Sequence, residues 1–537
     1  MLEFLKKQNP RLYIFIGGIL SGLCVIFPQI GFLAYFSMLP SFLAFLYKVK
    51  NGMYAKKRSV YADGMIFFMS YYLVIFHWFI YLYPLSFTEM SRFYAAVVVI
   101  VAWFGLSLLQ SLAAAFNFLW LYLFSKTSLF GKYPYMMPFF AASLWAVLEW
   151  TQTLTWAGVP WGRLVLSQSL YTVMLQSASL FGSYFITFII VSVNFLFAYV
   201  LSERKNIKIC SAVAFGMVCA NLLCGCVLYF LPSGERSLKS AAIQGNMSSH
   251  EKWAFDSTDR AIEIYSRYTR EAAAEGAKLI VWPETAIPEY IGDGSYIYNK
   301  FVRLSCETGA TLIVGAFSEN EDRRATNSLL VFYPDGSVDT NGYSKQKLVP
   351  FGEYLPMKKL ISVLIPPLAE LNMYSDDLAA GSDSSVMDSS SDPDSQDNIK
   401  IGALICFDSI YEDVSLRAVK NGAEMIVMST NDSWFYDSRA VYMHNYQAKL
   451  RAIETGRYIV RAGNTGISSV ISDKGTVKSY LPPLEEGYIC GDVSVCGGRT
   501  LYSITGNLLI YLFIVSDLCI FASDIFLKIR KKKKIKL

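Results

Sequence analysis

Charged residues are scarce in this sequence: Asp, Glu, Lys and Arg make up 17% of its 537 residues, whereas 53% are hydrophobic. A soluble domain carries about 25% charged residues, so the composition excludes a chain built only of soluble domains. Histidine occurs at three positions, His77, His250 and His444, which argues against a histidine-rich metal centre. We predict neither a metal nor a cofactor. The ten cysteines are too sparse for a disulfide scaffold.

The hydrophobic residues are gathered into long runs. A helix needs about 20 mostly apolar residues to cross the hydrocarbon core of a bilayer, and about eight such runs are present. We therefore predict a polytopic α-helical membrane domain with about eight transmembrane helices. The runs lie near Leu12–Phe27, Gly31–Tyr47, Tyr61–Tyr83, Phe93–Phe124, Met136–Trp150, Ser179–Leu201, Ile209–Leu231 and Ile504–Leu527.

Basic residues follow alternate runs, and this pattern predicts the orientation. Cytoplasmic loops of membrane proteins are enriched in Lys and Arg. Basic clusters lie at 48–58, 126–132, 204–208 and 528–536, after the second, fourth, sixth and eighth runs. Both termini are therefore predicted in the cytoplasm, and the segment between the seventh and eighth runs on the outer side. Because the net charge is only +5 and lies beside apolar runs, it does not indicate nucleic-acid binding.

The segment between the last two runs has the composition of a globular domain. Strand patterns alternate with helical patterns, which favours an α/β layered domain. We predict a membrane domain at 1–231, an extracytoplasmic domain at 232–499, and a final transmembrane helix with a basic tail at 500–537. The predicted strands are Lys278–Trp282, Thr311–Phe317, Asn327–Phe332, Lys400–Cys406, Glu424–Thr430, Tyr458–Ala462 and Ile467–Ser472, and the predicted helices are Asp256–Glu275 and Ser438–Thr455.

Two segments of this domain do not follow the strand and helix pattern. Ser375–Asn398 is rich in Asp and Ser, which predicts a solvated, mobile loop. A calcium loop is the alternative, but the glycine and terminal glutamate spacing that it needs is missing. Leu360–Met373 is apolar, too short to span a bilayer, and interrupted by two prolines. We predict that it forms a lid that touches the bilayer or covers an acyl chain.

Three reactive groups each stand at the end of an apolar stretch: Glu284, Lys345 and Cys406. A thiolate is a strong nucleophile, but a free cysteine needs a base or a nearby cation to ionise. Glu284 can supply the base, and Lys345 together with the backbone N–H of Phe407 can stabilise an oxyanion. Taken singly, a cysteine at a strand end is usually a small buried hydrophobe. His444 is far from these motifs, and we expect a surface or capping role for it.

The sequence around these groups carries a family resemblance. Trp282-Pro-Glu284, the Lys345 stretch and Ile405-Cys406-Phe407-Asp408 resemble the Glu–Lys–Cys triad of the nitrilase, or carbon–nitrogen hydrolase, superfamily. The bracketing apolar runs and three further motifs are similar to the bacterial apolipoprotein N-acyltransferase family, over nearly the whole chain. These motifs are Ile243-Gln-Gly-Asn246, Leu348-Val-Pro-Phe-Gly-Glu353 and Ser429-Thr-Asn-Asp-Ser-Trp434.

The resemblance implies a nitrilase-like α-β-β-α sandwich and a role for each matching residue. Glu284 is the implied general base, Lys345 the oxyanion-stabilising lysine and Cys406 the acylated nucleophile. Glu353 is the implied second glutamate that supports the triad, and Lys347 is the competing lysine. Four further positions match residues that shape the substrate pocket in this family: Trp253, Asn327, Asn431 and Trp434.

The resemblance also implies a reaction and a location. An acyl chain passes from a phospholipid to Cys406 as a thioester, and then to the α-amine of the diacylglyceryl-cysteine of an apolipoprotein, at the outer face of the bacterial inner membrane. Membrane lipids are the other expected partners. Two alternatives stay open: a membrane-tethered amidase or nitrilase for a small soluble substrate, and a non-catalytic binding or transport module. The sequence departs from the family pattern at Phe407, Asp408 and Tyr436, where Tyr, Glu and Gly are common.

Overall fold

A computed structural model of the protein describes residues 8–85, 90–204, 206–234, 236–248, 257–364, 377–382 and 386–535. The chain divides into two compact units. The helical unit consists of Met1–Ile80, Val98–Phe230 and Thr505–Leu537. The sheet unit consists of Tyr81–Val97 and Leu231–Ile504. The assignment of Tyr81–Val97 to the sheet unit is a feature that the sequence did not predict.

The helical unit is built from apolar helices. A helix that is apolar all round its circumference lies in a protein core or in lipid. Helices of four or five residues occur at Ala34–Ser37, Ser128–Lys132, Thr172–Leu175 and Ala178–Phe181. The longer helices, the fourth of which begins in the sheet unit, are Pro10–Ile26, Leu39–Lys50, Lys57–Ile75, Arg92–Ala114, Phe116–Ser125, Met137–Thr151, Ser183–Glu203, Ile207–Tyr229 and Leu508–Ile535.

Five helical segments of the described chain are long and apolar enough to cross a membrane. The expected count of about eight is therefore not confirmed. The first and fifth runs give helices of 17 and 15 residues, short of the roughly 20 that a span needs. The third run begins in a helix that also carries charged residues. The five segments are Pro28–Lys50, Arg92–Ser125, Ser183–Glu203, Ile207–Tyr229 and Leu508–Ile529.

Two buried carboxylates of the helical unit, Asp63 and Glu149, have polar partners. Asp63 accepts hydrogen bonds from Arg11 Nε at 2.9 Å and from the Tyr54 hydroxyl at 2.9 Å, and it also pairs with Lys48. Glu149 accepts hydrogen bonds from the backbone N–H of Leu164 at 2.7 Å and from Thr187 Oγ1 at 2.8 Å. Because an unpaired buried charge is costly, these contacts allow ionisable side chains inside an apolar bundle.

The sheet unit contains two six-stranded sheets. The strand order is β12-β1-β2-β3-β4-β5 in the first sheet and β11-β10-β9-β8-β7-β6 in the second. The sheets pack against each other through β1, β2 and β12 of the first sheet and β8 to β11 of the second, and β5 contacts β6. The strands are β1 Arg236–Gln244, β2 Leu279–Val281, β3 Thr311–Glu319, β4 Ala325–Phe332, β5 Val338–Ser344, β6 Val386–Asp388, β7 Lys400–Ile405, β8 Met425–Thr430, β9 Ile459–Gly463, β10 Ser468–Ile471, β11 Val477–Leu481 and β12 Gly487–Val495.

Helices cover the outer face of each sheet. Ser257–Ala274 and Tyr296–Thr308 pack on the first sheet, and Glu412–Lys420 and Arg439–Thr455 pack on the second. The order of layers is therefore helix, sheet, sheet, helix, which confirms the predicted α/β domain. The other helices of this unit are Lys358–Leu364 and Leu501–Thr505.

Parallel pairing places several strand ends at one edge of each sheet. In the first sheet β1, β2 and β3 are parallel, and in the second sheet β7, β8 and β9 are parallel. The carboxyl ends of parallel neighbours lie at the same edge, which is where ligands bind in open α/β sheets. Residues that directly follow β2, β7 and β8 are therefore candidates for a site.

The structure corrects the prediction for part of the Asp- and Ser-rich insertion, and it describes only the start of the proposed lid. Within the Asp- and Ser-rich insertion, β6 pairs with β7 as an edge strand, and Asn398 Oδ1 accepts hydrogen bonds from the backbone N–H groups of Ser389 and Ser390. The prediction of a loop is therefore wrong at β6, which is a strand, whereas 389–398 forms turns and bends and is mostly exposed at 391–397. The proposed lid begins in the helix Lys358–Leu364, and its remainder lies outside the described residues.

Candidate active site

Each of the three predicted reactive side chains lies just after the end of a strand. Glu284 follows β2 by three residues, Lys345 directly follows β5, and Cys406 directly follows β7. The apolar strand residues are buried in the core, for instance Ile280, Val281 and Ile405. Burial of β2 and β7 therefore fixes where the first polar side chain beyond each of them lies. β5 is only partly buried, and the backbone N–H of Lys345 is held by the carbonyl oxygen of Asn327 at 2.8 Å.

Lys345 lies between two carboxylates. Its Nζ donates to Glu284 Oε1 at 2.8 Å and to Glu353 Oε1 at 2.9 Å. Its side chain is 1% exposed. Lys347, the competing lysine, forms an ion pair with Asp413 at 3.0 Å instead. The structure thus brings Lys345, and not Lys347, to Glu284.

Two asparagines complete the contacts of the carboxylates. Asn327 Nδ2 donates to Glu284 Oε1 at 2.7 Å and to Glu353 Oε1 at 3.2 Å. The backbone N–H of Asn431 donates to Glu284 Oε2 at 2.9 Å. Glu353 Oε2 accepts from the backbone N–H of Val349 at 2.8 Å. Five of the predicted site residues are therefore hydrogen bonded in one cluster, in which Lys345 is surrounded by Glu284, Glu353, Asn327 and Asn431.

The surroundings of Lys345 hold it as a cation. Burial by itself lowers the pKa of a lysine, because it disfavours the charged form. The negative charges of Glu284 and Glu353 outweigh this effect and raise the pKa of Lys345 well above its usual range. The ammonium group is thus a fixed positive charge inside the cluster.

Cys406 stands in a strained backbone conformation at the start of the 3₁₀ turn Cys406–Ile410. Its φ is +48°, a left-handed value that is unfavourable for residues other than glycine. Burial, followed by the charge of Glu284, raises the pKa of the Cys406 thiol well above its usual range, and Lys345 opposes these effects. The resting sulfur is therefore a thiol, and a base must remove its proton before it can attack.

Asp408 connects the 3₁₀ turn Cys406–Ile410 to β5 and the residues that follow β5 through hydrogen bonds. Its Oδ2 accepts hydrogen bonds from the Tyr343 hydroxyl at 2.8 Å and the backbone N–H of Ile405 at 3.0 Å. Its Oδ1 accepts from the backbone N–H of Lys347 at 2.7 Å. Burial raises the pKa of Asp408 to about 6. Sequence reasoning named this residue only as a departure from the family pattern and missed its structural position.

The expectation of a surface or capping role for His444 is wrong. His444 is 1% exposed and lies on the helix Arg439–Thr455. Its Nδ1 is 2.7 Å from Asp432 Oδ1, and Asp432 Oδ2 accepts a hydrogen bond from Arg461 Nη2 at 2.7 Å. Burial by itself raises the pKa of Asp432, but His444 and Arg461 outweigh it and hold the pKa well below its usual range. The weak signal in the sequence was the central position of His444 within an otherwise regular helix.

Ligand-type atoms of Cys406, Asp432 and His444 lie within 4.8 Å of one another. Such a set can hold a metal ion in principle. Here Asp432 is already paired with the Arg461 guanidinium, and Lys345 places a second positive charge near the sulfur. Two fixed cations oppose a divalent ion, so the donor set does not fit a metal well.

The remaining predicted residues are placed as follows. Phe407 is buried, and its ring packs edge-on against Tyr411 with 5.4 Å between ring centroids. Trp434 lies in the 3₁₀ turn Ser433–Phe435, which follows Asn431 closely in the chain. Trp253 lies outside the described residues. The roles of Phe407 and Trp434 stay predictions.

Comparison with known proteins decides the family. Residues 17–196 match the family model of the apolipoprotein N-acyltransferase N-terminal domain, and residues 239–498 match that of carbon–nitrogen hydrolase. An apolipoprotein N-acyltransferase of Gloeobacter violaceus is 30% identical over 83% of this chain and 82% of its own length. The chain belongs to the apolipoprotein N-acyltransferase family.

Other relatives in this family support the assignment over different lengths. A Geobacter metallireducens apolipoprotein N-acyltransferase is 30% identical over 68% of this chain and 70% of its own length. One from Pasteurella multocida is 24% identical over 95% of both chains. The predicted family resemblance is thus confirmed, and the protein is a bacterial membrane protein.

Proposed function

We propose that the protein transfers a fatty acyl chain from a phospholipid, through a thioester on Cys406, to the α-amine of the diacylglyceryl-cysteine of apolipoproteins. Family membership supports the overall activity, acyl transfer to a lipoprotein. The observation that carries the mechanism is the buried cluster in which Lys345 contacts Glu284 at 2.8 Å beside the Cys406 thiol.

In the first step Cys406 becomes acylated. Glu284 takes the thiol proton, and the sulfur attacks the ester carbonyl of the phospholipid. Lys345 and the backbone N–H of Phe407 stabilise the negative oxygen of the tetrahedral intermediate. The C–O bond of the ester then breaks, Glu284 returns the proton to the departing oxygen, and a lysophospholipid leaves.

In the second step the α-amine of the apolipoprotein attacks the thioester carbonyl. Glu284 accepts a proton from the attacking nitrogen, and the same donors stabilise the oxyanion. The C–S bond breaks, an amide forms, and the proton returns to the sulfur. Water competes with the amine for the thioester, so an apolar cover over the site favours transfer over hydrolysis. Leu360–Met373 is the proposed cover.

The other site residues support these groups. Glu353 and Asn327 hold Lys345 and Glu284 in place through the contacts of 2.9 and 2.7 Å described above. Asn431 orients Glu284 through its backbone N–H. Trp253 and Trp434 are proposed to shape the pocket for the acyl chain, as the family pattern implies.

We also propose a topology for this membrane protein. About eight helices cross the bacterial inner membrane, with seven in 1–231 and one in 500–537, and the domain at 232–499 lies on the periplasmic side. The basic clusters after alternate apolar runs support this orientation. Reaction of Cys306, which is exposed, with a membrane-impermeant maleimide in intact spheroplasts tests it. Labelling only after the membrane is opened contradicts it.

A labelled phospholipid tests the acylation step. We expect the purified protein to acquire acyl label on Cys406 that hydroxylamine removes, and a diacylated lipopeptide to accept that label as a hydroxylamine-resistant amide. Cys406→Ser is expected to lose transfer while it stays folded. Cys306→Ser, a cysteine on the helix Tyr296–Thr308, is the matched control and keeps activity. Folded wild-type protein without label on Cys406, or unchanged turnover in Cys406→Ser, refutes the proposal.

A further inference from the structure

Three buried residues that the proposed mechanism does not use lie next to the Cys406 turn. Asp432 follows β8, His444 lies on the helix Arg439–Thr455, and Arg461 lies in β9. Arg461 Nη2 donates to Asp432 Oδ2 at 2.7 Å, and Asp432 Oδ1 is 2.7 Å from His444 Nδ1. All three side chains are fully or almost fully buried. The imidazole ring is thus held from one side by an ion pair.

The other side of the ring faces the backbone of Cys406. His444 Nε2 lies 3.1 Å from the carbonyl oxygen of Cys406 and 3.0 Å from Ser409 Oγ. Ser409 Oγ donates to the same carbonyl oxygen at 2.8 Å. The nitrogen, the hydroxyl and the carbonyl therefore form a closed triangle of hydrogen-bond distances, and this triangle fixes the direction of the carbonyl.

The direction of this carbonyl matters because the backbone of Cys406 is strained. Its φ of +48° is a conformation that persists only where surrounding contacts enforce it. If the carbonyl rotates towards a relaxed conformation, the Cα–Cβ bond turns with it and moves the sulfur. The contacts of His444 and Ser409 to this oxygen oppose that rotation.

We propose that His444, held by Asp432 and Arg461, is a positioning residue that fixes the Cys406 carbonyl and thereby aims the thiol. The inference rests on the proposed function, because it takes Cys406 as the nucleophile. An electrostatic effect of Asp432 on the thiol explains this arrangement less well than positioning does. Asp432 raises the pKa of the Cys406 thiol, so its negative charge opposes thiolate formation. We therefore assign its role to the contact with the imidazole ring of His444.

Two substitutions distinguish the contacts of the Nε2 atom of His444 from those of its Nδ1 atom. His444→Gln keeps a polar group near the position of Nε2, and His444→Asn keeps one near the position of Nδ1. A displaced nucleophile slows the chemical step by up to about a hundredfold. We expect His444→Asn to slow acylation of Cys406 at saturating phospholipid by about ten- to a hundredfold, with KM changed less than about twofold. His444→Gln is expected to stay within about threefold of the wild type.

The readout is the rate of hydroxylamine-sensitive label on Cys406, measured on the folded fraction of each variant. Thr455→Val is the matched control, because it removes a hydroxyl that donates to the Arg451 carbonyl at 2.7 Å near the end of the same helix. It should acylate at the wild-type rate. Equal rates for wild type, His444→Asn and His444→Gln overturn the inference, and so does an equal loss in both variants.

A second variant decides the matter if His444→Asn does not fold. Ser409→Ala removes the hydroxyl that donates to the Cys406 carbonyl at 2.8 Å and leaves the helix Arg439–Thr455 intact. A fall in acylation rate of about threefold or more with unchanged KM supports the positioning role, and the wild-type rate overturns it. Wild-type protein that never forms the thioester refutes the proposed function itself, which distinguishes that failure from a failure of this inference.

Discussion

Lys345 is the residue whose removal tests the electrostatics of the cluster most directly. Lys345→Met keeps most of the side-chain volume and removes the ammonium group that both carboxylates contact. Glu284 and Glu353 then stay buried together, with Asn327 as their common hydrogen-bond donor. The variant therefore converts a compensated group of charges into two like charges without a counter-ion.

The size of the effect follows from the distances. Both carboxylate oxygens lie within 2.9 Å of Lys345 Nζ, so they are at most about 6 Å apart, and at an effective dielectric constant of about 20 two such charges repel by about 3 kcal/mol. Removal of one partner from a buried ion pair generally costs about 3 to 5 kcal/mol. For a domain of this size, about 3 kcal/mol lowers the unfolding midpoint by roughly 6 to 12 °C.

Thermal unfolding in detergent, followed by intrinsic tryptophan fluorescence, measures this loss. Lys347→Met is the matched control, because the ion pair of Lys347 with Asp413 is partly exposed and such pairs contribute about 0 to 1 kcal/mol. Addition of Glu353→Gln to Lys345→Met removes one of the two charges and should restore most of the stability. If Lys345→Met unfolds at the same temperature as Lys347→Met, or if the double variant recovers nothing, the electrostatic account of the cluster is wrong.

Three further outcomes are expected. Asp408 has a pKa of about 6 in the folded state, so the folded state binds its proton more tightly than the unfolded chain does. Its contribution to wild-type stability should therefore fall by about 2 kcal/mol as pH rises from about 4 to 6. Asp408→Asn should flatten that slope in unfolding curves measured across this range; an unchanged slope contradicts the assignment. Tyr436 has a φ of +47°, so Tyr436→Gly should stabilise the protein by about 1 kcal/mol, whereas Tyr480→Gly in β11 should destabilise it in the same melts. Glu353→Gln removes one charge that holds Lys345 and should slow labelling of Cys406 about tenfold or more; wild-type labelling argues against a supporting role.

The parts of the fold that the sequence predicted are those that depend on local patterns. Apolar runs such as Lys400–Cys406 and Glu424–Thr430 give buried strands within a residue or two of their predicted bounds. β1 and β12 were missed, because their outer residues are polar and their pairing with each other spans more than 200 residues of sequence. An antiparallel pair of that kind has no local signature.

The same distinction applies to the candidate site. Glu284 and Cys406 could be named because each follows an apolar strand. Lys345 could be named because its motif resembles the family pattern, and the structure brings the three residues together. Asp408 and His444 could not be placed, because their partners are Tyr343 and Asp432, in other elements of the fold. Tyr436 explains one departure from the family pattern: its positive φ is the reason that glycine is common there.

The charges of the cluster also explain how a thiol with a raised pKa can act as a nucleophile. With Glu284 and Glu353 ionised and Lys345 protonated, the cluster carries one net negative charge, which disfavours a second anion on the sulfur. Transfer of the thiol proton to Glu284 does not add a charge, because the carboxylate becomes neutral as the sulfur becomes negative. The cost of ionising a buried thiol against solvent is therefore avoided, and the negative charge only moves within the field of Lys345. On this reasoning the proposed base has to be a buried carboxylate inside the cluster, and a base in bulk solvent cannot replace it.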